Sequence, residues 1–364
     1  MKHRVYFSQA TPDDEQGLND LLKNSPMRGD ITLSYERKPD FFAAHAIEGD
    51  ICQSMVARSK KKVVGCFSHA QYKAFVDGIP RSLAYLGQLR SLPAYRNKIR
   101  YIKQGFEACR LIQKASPTIL TVTSIISNNH VAKRLFNAGV DGLPQYKQLA
   151  DISTLAIPIK TIKVSSKVRQ ATLADIPDII TFLNREYTYF QLAPVWTKQD
   201  LLSDRTRGLD ISDFLLLHQD NQLIGCLSVW DQSPFKQYII RGYSKKIKSW
   251  RWILNIKARV LGGMRFPNID EEISYAFLSH IAIQEDHIQN MKLLIQAAMS
   301  LAKEKGIDLL LLGMDRKRPL FSNIKKLFSH VEYTSTLYSV CWDQPQASLT
   351  IQKKYFFHPE IAMM

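Results

Sequence analysis

Long apolar runs are missing from this chain of 364 residues. The longest, Leu309-Leu310-Leu311-Leu312, is far short of the ~20 residues a membrane-spanning helix needs, and it reads as a buried strand. The start, Met1 to Gln9, has none of the apolar stretch that a secretory signal carries. Cysteine is sparse: the five (52, 66, 109, 226 and 341) are scattered, odd in number and without a CxxC pair. Neither a disulfide framework nor a metal site is expected from them. Together these features point to a reduced, cytoplasmic protein. Acidic side chains are in deficit, 33 against 49 Lys and Arg, for a net charge of +16. Such an excess attracts anionic small molecules, nucleic acid or membrane surfaces. The rest of the composition, 45% hydrophobic and 23% charged, is that of a globular chain.

What the chain does have is a long internal repeat. Gln9-Ala10-Thr11-Pro12-Asp13-Asp14 returns as Gln170-Ala171-Thr172-Leu173-Ala174-Asp175, and Val63-Val64-Gly65-Cys66-Phe67-Ser68 as Leu223-Ile224-Gly225-Cys226-Leu227-Ser228. The offset is about 160 at first and lengthens to 192 where Lys133-Arg134-Leu135-Phe136 matches Lys325-Lys326-Leu327-Phe328. A solenoid repeats every ~20–50 residues, so this period is a whole domain. The sequence divides into a first copy over 1–158, a linker at 159–166 and a second copy over 167–364. An insertion at about 234–265 distinguishes the second copy.

Both copies share one order of elements. A short strand leads into a helix capped by Thr11 or Thr172, with Asp14 or Asp175 three residues on as in a capping box. Hairpins follow, turning at Lys60-Lys61-Lys62 and Asp77-Gly78 in the first copy and at Asp220-Asn221 in the second. Next comes a helix whose apolar side is Ile102, Phe106, Cys109 and Ile112, or Met291, Ile295, Ala298 and Leu301. A strand, a shorter helix and further strands complete each copy, the last one expected over 349–356. The fold class is α+β, two domains each with a twisted mixed sheet flanked by helices.

At the strand-to-helix junction of the first copy stands Leu89-Arg90-Ser91-Leu92-Pro93-Ala94-Tyr95-Arg96. It resembles the acetyl-CoA-binding segment of the GNAT superfamily of N-acetyltransferases, V-x-P-x-x-(R/Q)-x-x-G-x-(G/A), with Pro93 and Arg96 in place. Asn129-x-x-Ala132-x-x-Leu135-Phe136 resembles that family's N-x-x-A-x-x-L-Y. The resemblance implies a tandem GNAT fold, acetyl-CoA or another acyl-CoA as cofactor, and transfer to an amine of a small molecule or peptide, in a protein that dimerises in some cases. Carried over residue by residue, it places the cofactor on Leu89, Arg90, Ser91, Arg96, Asn97, Lys98, Ile99, Arg100, Tyr101 and Asn129. A helix start favours negative charge independently of any family name. Ile99 and Tyr101 stand where the family has small residues, and Phe136 where many members have a tyrosine that protonates the CoA thiolate. In the second copy Pro93 becomes Glu285, Arg96 becomes Ile288 and Asn129 becomes Phe321. Glu285 and Asp286 then oppose phosphate, and this copy is expected to keep the fold without the cofactor.

No carboxylate stands on the fourth strand of the first copy. Near or on the matching strand of the second stand Glu271, Glu272 and His280, of which His280, as a titrating group, is the candidate for a catalytic base. The insertion interleaves Lys245, Lys246, Lys248, Arg251, Lys257 and Arg259 with Trp250 and Trp252. It suits gripping nucleic acid, lying on an anionic membrane, forming a lid over an acidic substrate, or covering the sheet with its tryptophans inward. Three functions stay open: an acyl-CoA-dependent N-acyltransferase, a non-catalytic CoA-binding or sensing protein, and a nucleic-acid-associated protein.

Overall fold

A computed structural model describes residues 5–96, 98–127, 129, 132–134, 140–261, 265–342 and 355–364. Val5–Gln9 (β1), Ile31–Glu36 (β2), Ile51–Ser59 (β3), Lys62–Val76 (β4), Ile79–Ser91 (β5), Leu120–Ile126 (β6) and Gln145–Pro158 (β7) are the strands of the first copy. Val168–Gln170 (β8), Phe214–Gln219 (β9), Gln222–Trp230 (β10), Gln237–Tyr243 (β11), Tyr275–Ile283 (β12), Leu309–Asp315 (β13) and Val331–Cys341 (β14) follow. The helices are Glu15–Lys23 (α1), His45–Glu48 (α2), Ile99–Ala115 (α3), Ile176–Tyr187 (α4), Lys198–Leu201 (α5), Lys245–Leu261 (α6), Ile288–Glu304 (α7) and Pro319–Leu327 (α8). None of the described helices is long and apolar enough to cross a membrane.

Instead of two separate sheets, twelve strands form one, in the order β1-β3-β4-β5-β6-β14-β7-β13-β12-β10-β9-β8. The order is a palindrome under the repeat: β1 matches β8, β3 matches β9, β4 matches β10, β5 matches β12, β6 matches β13 and β7 matches β14. The last strand of each copy has crossed over. β14 lies against β6 and β7 against β13, while β7 and β14 pair with each other over Val331↔Ala156 to Cys341↔Gln145. Each crossover satisfies a row of backbone groups that would otherwise be an open edge. β2 and β11 form a separate two-stranded ribbon, one strand from each copy.

Amphipathic helices cover the sheet where their apolar spacing predicts. Leu18, Leu21 and Leu22 of α1 are buried, as are Ile176, Ile179 and Leu183 of α4 and Met291, Ile295, Ala298 and Leu301 of α7. The capping boxes form in both copies, with the Thr11 and Thr172 amides donating to Asp14 and Asp175.

Two strand pairs are parallel, and each parts company halfway. β5 and β6 pair only over Leu83–Tyr85, and β12 and β13 only over Tyr275–Leu278. Beyond those points each pair has a gap between its strands. In the second copy the gap is filled by residues 355–364, which lie at the sheet as extended chain and a short 3-10 turn and not as the expected last strand; most of 349–356 lies outside the described residues. The Gln191 amide donates to the Phe356 carbonyl and the His358 amide to the Gln191 carbonyl. The Phe357 amide donates to Asp315, and Glu360 accepts from the His280 amide at 3.0 Å. Gln232 and Lys236 both donate to the Ala362 carbonyl, and burial lowers the Lys236 ammonium to about 8. Ile361 sits on Gly313, where an added Cβ would come within 2.4 Å of it.

His280 and His358 are buried neutral, each pushed down to about 3 chiefly by burial, with Arg205 and Arg318 respectively adding to the effect. Glu360 is pushed up to about 7, again by burial.

These contacts yield two expectations. Gly313→Ala destabilises the protein by about 1–3 kcal/mol through overpacking, and adding Ile361→Ala restores part of the loss, read from urea midpoints. The depressed histidines contribute stability that is complete above their unfolded value of 6.5 and is lost as pH falls toward 3, whereas the raised Glu360 loses stability as pH rises from 4.5 to about 7. Between pH 7.5 and 5.0, His358→Asn is therefore expected to lose less stability than the parent, by on the order of 2 kcal/mol, and Glu360→Gln to lose more. Denaturant titrations at both pH values check the signs.

Candidate functional site

In the first copy the gap between β5 and β6 stays open. A cavity of about 590 Å³ occupies it and runs beneath α3. Its floor is apolar: Phe67 from β4, Leu86 from β5, Phe106 and Cys109 from α3, and Ile126 from β6. These residues meet because β5 alternates its side chains across the sheet, so Leu86 faces α3. Tyr85 faces the other way, and its hydroxyl reaches Ser124 at 2.8 Å, spanning the gap from β5 to β6.

Where the strands part, β5 carries a bulge. Gly87 pairs with Ser68 and Arg90 with Cys66, which leaves Gln88 and Leu89 out of the ladder. Gln88 has φ of 51°, an uncommon conformation for a residue with a side chain. The second copy repeats the device: His280 also has φ of 51°, and it lies with Ile281 between the pairs formed by Ser279 and Ala282. Even the supporting thiol recurs. Cys66 donates to the Gln88 carbonyl at 3.4 Å, and Cys226 to that of His280 at 3.6 Å. Both cysteines are buried, and burial raises the Cys66 thiol to about 11, so they act as packing residues with a weak donor.

The rim of the cavity is cationic. Arg90 ends β5, Arg96 follows it, and Arg28 comes from the turn after α1. Arg96 donates from Nε to the Ser91 carbonyl at 3.0 Å. Its burial, together with the like charges of Arg28 and Arg90, holds its basicity below the ordinary arginine value. Among the described residues no carboxylate pairs with any of the three. Beyond the rim lies the start of α3, whose first amides have no carbonyl one turn back. The first such bond is from Ile102 to Lys98.

The residues singled out from sequence divide accordingly. Leu89, Arg90, Ser91, Arg96, Tyr101 and Asn129 all line the cavity. Tyr101 does so as a buried side chain stacked on Phe7, its hydroxyl over Gly65, where an added Cβ would come within 1.8 Å of it. Asn129 caps the next helix, accepting from the Ala132 amide at 3.2 Å. Lys98, Ile99 and Arg100 are exposed at the helix start and are not part of the wall, and the Lys98 ammonium rests 4.4 Å from the Tyr95 ring centre. The amides of Arg96 and Lys98 are already used, by the carbonyls of Pro93 and Tyr95. Asn97 and Phe136 lie outside the described residues. Arg28 carried no signal in the sequence, because it belongs to a turn with no motif of its own.

His280 must be withdrawn as a catalytic base. It is fully buried among the rings of Trp196, Phe214 and Trp230, with ring centres 4.3–5.6 Å away, and Nδ1 is bound to Ser228 and Ser279. It sits in the bulge of β12 and does not line the cavity between β5 and β6. At the helix start of the second copy, Asp286 forms an ion pair with the buried Arg318, so a carboxylate of the chain itself stands where an anion would go. The tryptophans of the insertion do not cover the sheet: Trp250 and Trp252 are exposed on α6.

No protein-family model matches the chain, and no curated protein matches it by sequence. Solved structures do. N-myristoyltransferase of Saccharomyces cerevisiae, determined with bound myristoyl-CoA, superposes with a TM-score of 0.61 at 13% identity, over 94% of this chain and 80% of that one. A GCN5-related N-acetyltransferase from Anabaena variabilis superposes with a TM-score of 0.50 at 11% identity, over 92% and 72%. At these identities the likeness is one of architecture: over most of its length the chain shares its fold with these two structures.

Proposed function

We propose that the protein is an acyl-CoA-dependent N-acyltransferase that holds its cofactor in the open gap of the first copy. The observation that carries this reading is the cluster of Arg28, Arg90 and Arg96, three guanidinium groups with no paired carboxylate among the described residues, at the mouth of an apolar-floored cavity. Such a cluster favours a multiply charged anion, and planar guanidinium groups suit phosphate oxygens. A pyrophosphate there adds the free amides at the start of α3. A pantetheine arm then enters between β5 and β6, where unpaired strand edges meet its amide groups.

The thioester carbonyl falls at the bulge, where Gln88 and Leu89 stand out of the ladder and the Gln88 amide, counterpart of the His280 amide that Glu360 takes, receives developing negative charge. The amine nitrogen attacks that carbon, a C–N bond forms and the C–S bond breaks. CoA leaves as the thiolate, its charge balanced by the proton the nitrogen sheds. Residues 1–158 and 167–364 are read as the repeat units, joined through 159–166, with the second unit supplying β14 and half of the β2–β11 ribbon.

The floor of Phe67, Leu86, Phe106 and Cys109 extends the cavity beyond what an acetyl group fills, and it suits a longer acyl chain. Acceptance of myristoyl-CoA by a protein of the same architecture accords with that assignment. A binding protein without catalysis is the second reading, favoured by the loss of one cleft to the chain itself.

Thermal unfolding with CoA, acetyl-CoA and myristoyl-CoA tests the assignment. Ligand at about a hundred times its dissociation constant adds about 2.7 kcal/mol of stability. This gain is expected for all three, greatest for the long chain, and absent in Arg28→Glu/Arg90→Glu/Arg96→Glu; no stabilisation of the parent by any of them would reject the reading. Cys109→Phe fills the floor and is expected to weaken myristoyl-CoA by about tenfold, on the order of 1.4 kcal/mol, with CoA unaffected in the same titration. Release of free thiol with an amine panel separates enzyme from binding protein.

A further inference from the structure

Helix α6 turns its apolar side the wrong way for a globular protein. One face is fastened down: Arg251 donates to the Pro267 carbonyl at 2.7 Å and to Asn268, and Asn255 exchanges two hydrogen bonds with the backbone of Phe266. The other face carries Trp252, Ile253 and Ile256, which are 64%, 36% and 56% exposed, with Trp250 at 58% beside them. At about 100° per residue, positions 252, 256 and 253 fall within one arc of roughly 100°, with Lys248 at one edge and Lys246 at the other; Lys245 and Ser249 share the arc in the turns before Trp252. All three lysines, 245, 246 and 248, are exposed, and the helix sequence KKIKSWRWILNIKARVL contains no acid. Ile269, on the strap that fastens the helix, adds another exposed apolar side chain.

We propose that α6 lies in the surface of an anionic lipid bilayer, with Trp252, Ile253 and Ile256 among the acyl chains and the lysines at the headgroup phosphates. Tryptophan and aliphatic side chains on one arc, flanked by cations, are what an interfacial helix presents. The aliphatic pair decides between anionic partners. A nucleic acid offers tryptophan a base to stack on, but it leaves Ile253 and Ile256 in water, whereas a bilayer takes both. The helix is also rigidly tied to the cavity. The Ser244 amide donates to the Asp30 carbonyl at 2.8 Å, and Tyr243 pairs with Ile31, three residues beyond Arg28 of the rim. A docked α6 therefore brings the turn bearing Met27 and Arg28 close to the membrane surface.

Flotation with phosphatidylcholine vesicles, with and without phosphatidylglycerol, tests the proposal on the full chain. Binding is expected only with the anionic lipid, with tryptophan emission quenched by brominated acyl chains. Trp252→Glu/Ile256→Glu is expected to lower the fraction bound at least tenfold, and Lys245→Glu/Lys246→Glu/Lys248→Glu to remove the preference for phosphatidylglycerol. Both variants should keep the parent melting temperature, since none of these side chains is buried. Failure of the parent to bind anionic vesicles would overturn the proposal, as would undiminished binding of Trp252→Glu/Ile256→Glu. Salt-sensitive retention of an RNA oligonucleotide by a parent that ignores vesicles would reassign the face to nucleic acid, and a concentration-dependent dimer that hides Trp252 would reassign it to a second copy.

Discussion

A sheet cannot leave backbone donors and acceptors unmatched in its middle, and this sheet has two places where the ladder stops. After Tyr85 and Val122, and again after Leu278 and Leu312, a parallel pair separates. Water, a ligand or the chain itself must occupy each gap, because buried amides without partners cost about 1–3 kcal/mol apiece. Much of what is distinctive about the molecule follows from how the two gaps are treated. One is a cavity with cations at its mouth; the other is closed by residues 355–364.

The crossover of β7 and β14 ties the fates of the two gaps together. β6 borders the open gap on one side and pairs with β14 on the other, and β13 stands likewise between the closed gap and β7. Neither copy can widen its gap without shifting a strand of its twin. Because of this coupling a sequence cut at 158 is not a cut of the sheet: β7 of the first copy lies beyond β14 of the second.

The repeat, the hairpins, the capped helices and the junction around Pro93 were legible because they rest on local rules: turn residues, apolar spacing and a cap three residues before an acid. Cys66 and Cys226 were legible as equivalent positions, but their contact with the carbonyl of a bulged residue was not, because a bulge depends on the register of the neighbouring strand. Arg28 was hidden for a related reason. Its meaning lies in standing beside Arg90 and Arg96 with no acid paired to it among the described residues, which is a property of three dimensions. His280 misled because a histidine on a strand reads the same whether it faces a cleft or three aromatic rings. The fate of 355–364 was the least legible, since a segment of no pronounced periodicity pairs with whatever gap lies within reach.

The closed gap also bears on how the open one is read. At the bulge, a carboxylate oxygen of Glu360 takes the His280 amide. Along the gap, the aliphatic side chain of Ile361 lies against Gly313. Near the start of the following helix, an anionic group, Asp286, meets a buried arginine. The acceptor oxygen and the apolar side chain come from residues 355–364, and the anion at the helix start comes from the turn before α7. The first copy has the same bulge, the same supporting thiol and three arginines, and among the described residues no carboxylate pairs with those arginines. Residues of the chain itself occupy the second gap, so of the two it is the first that has room for a ligand.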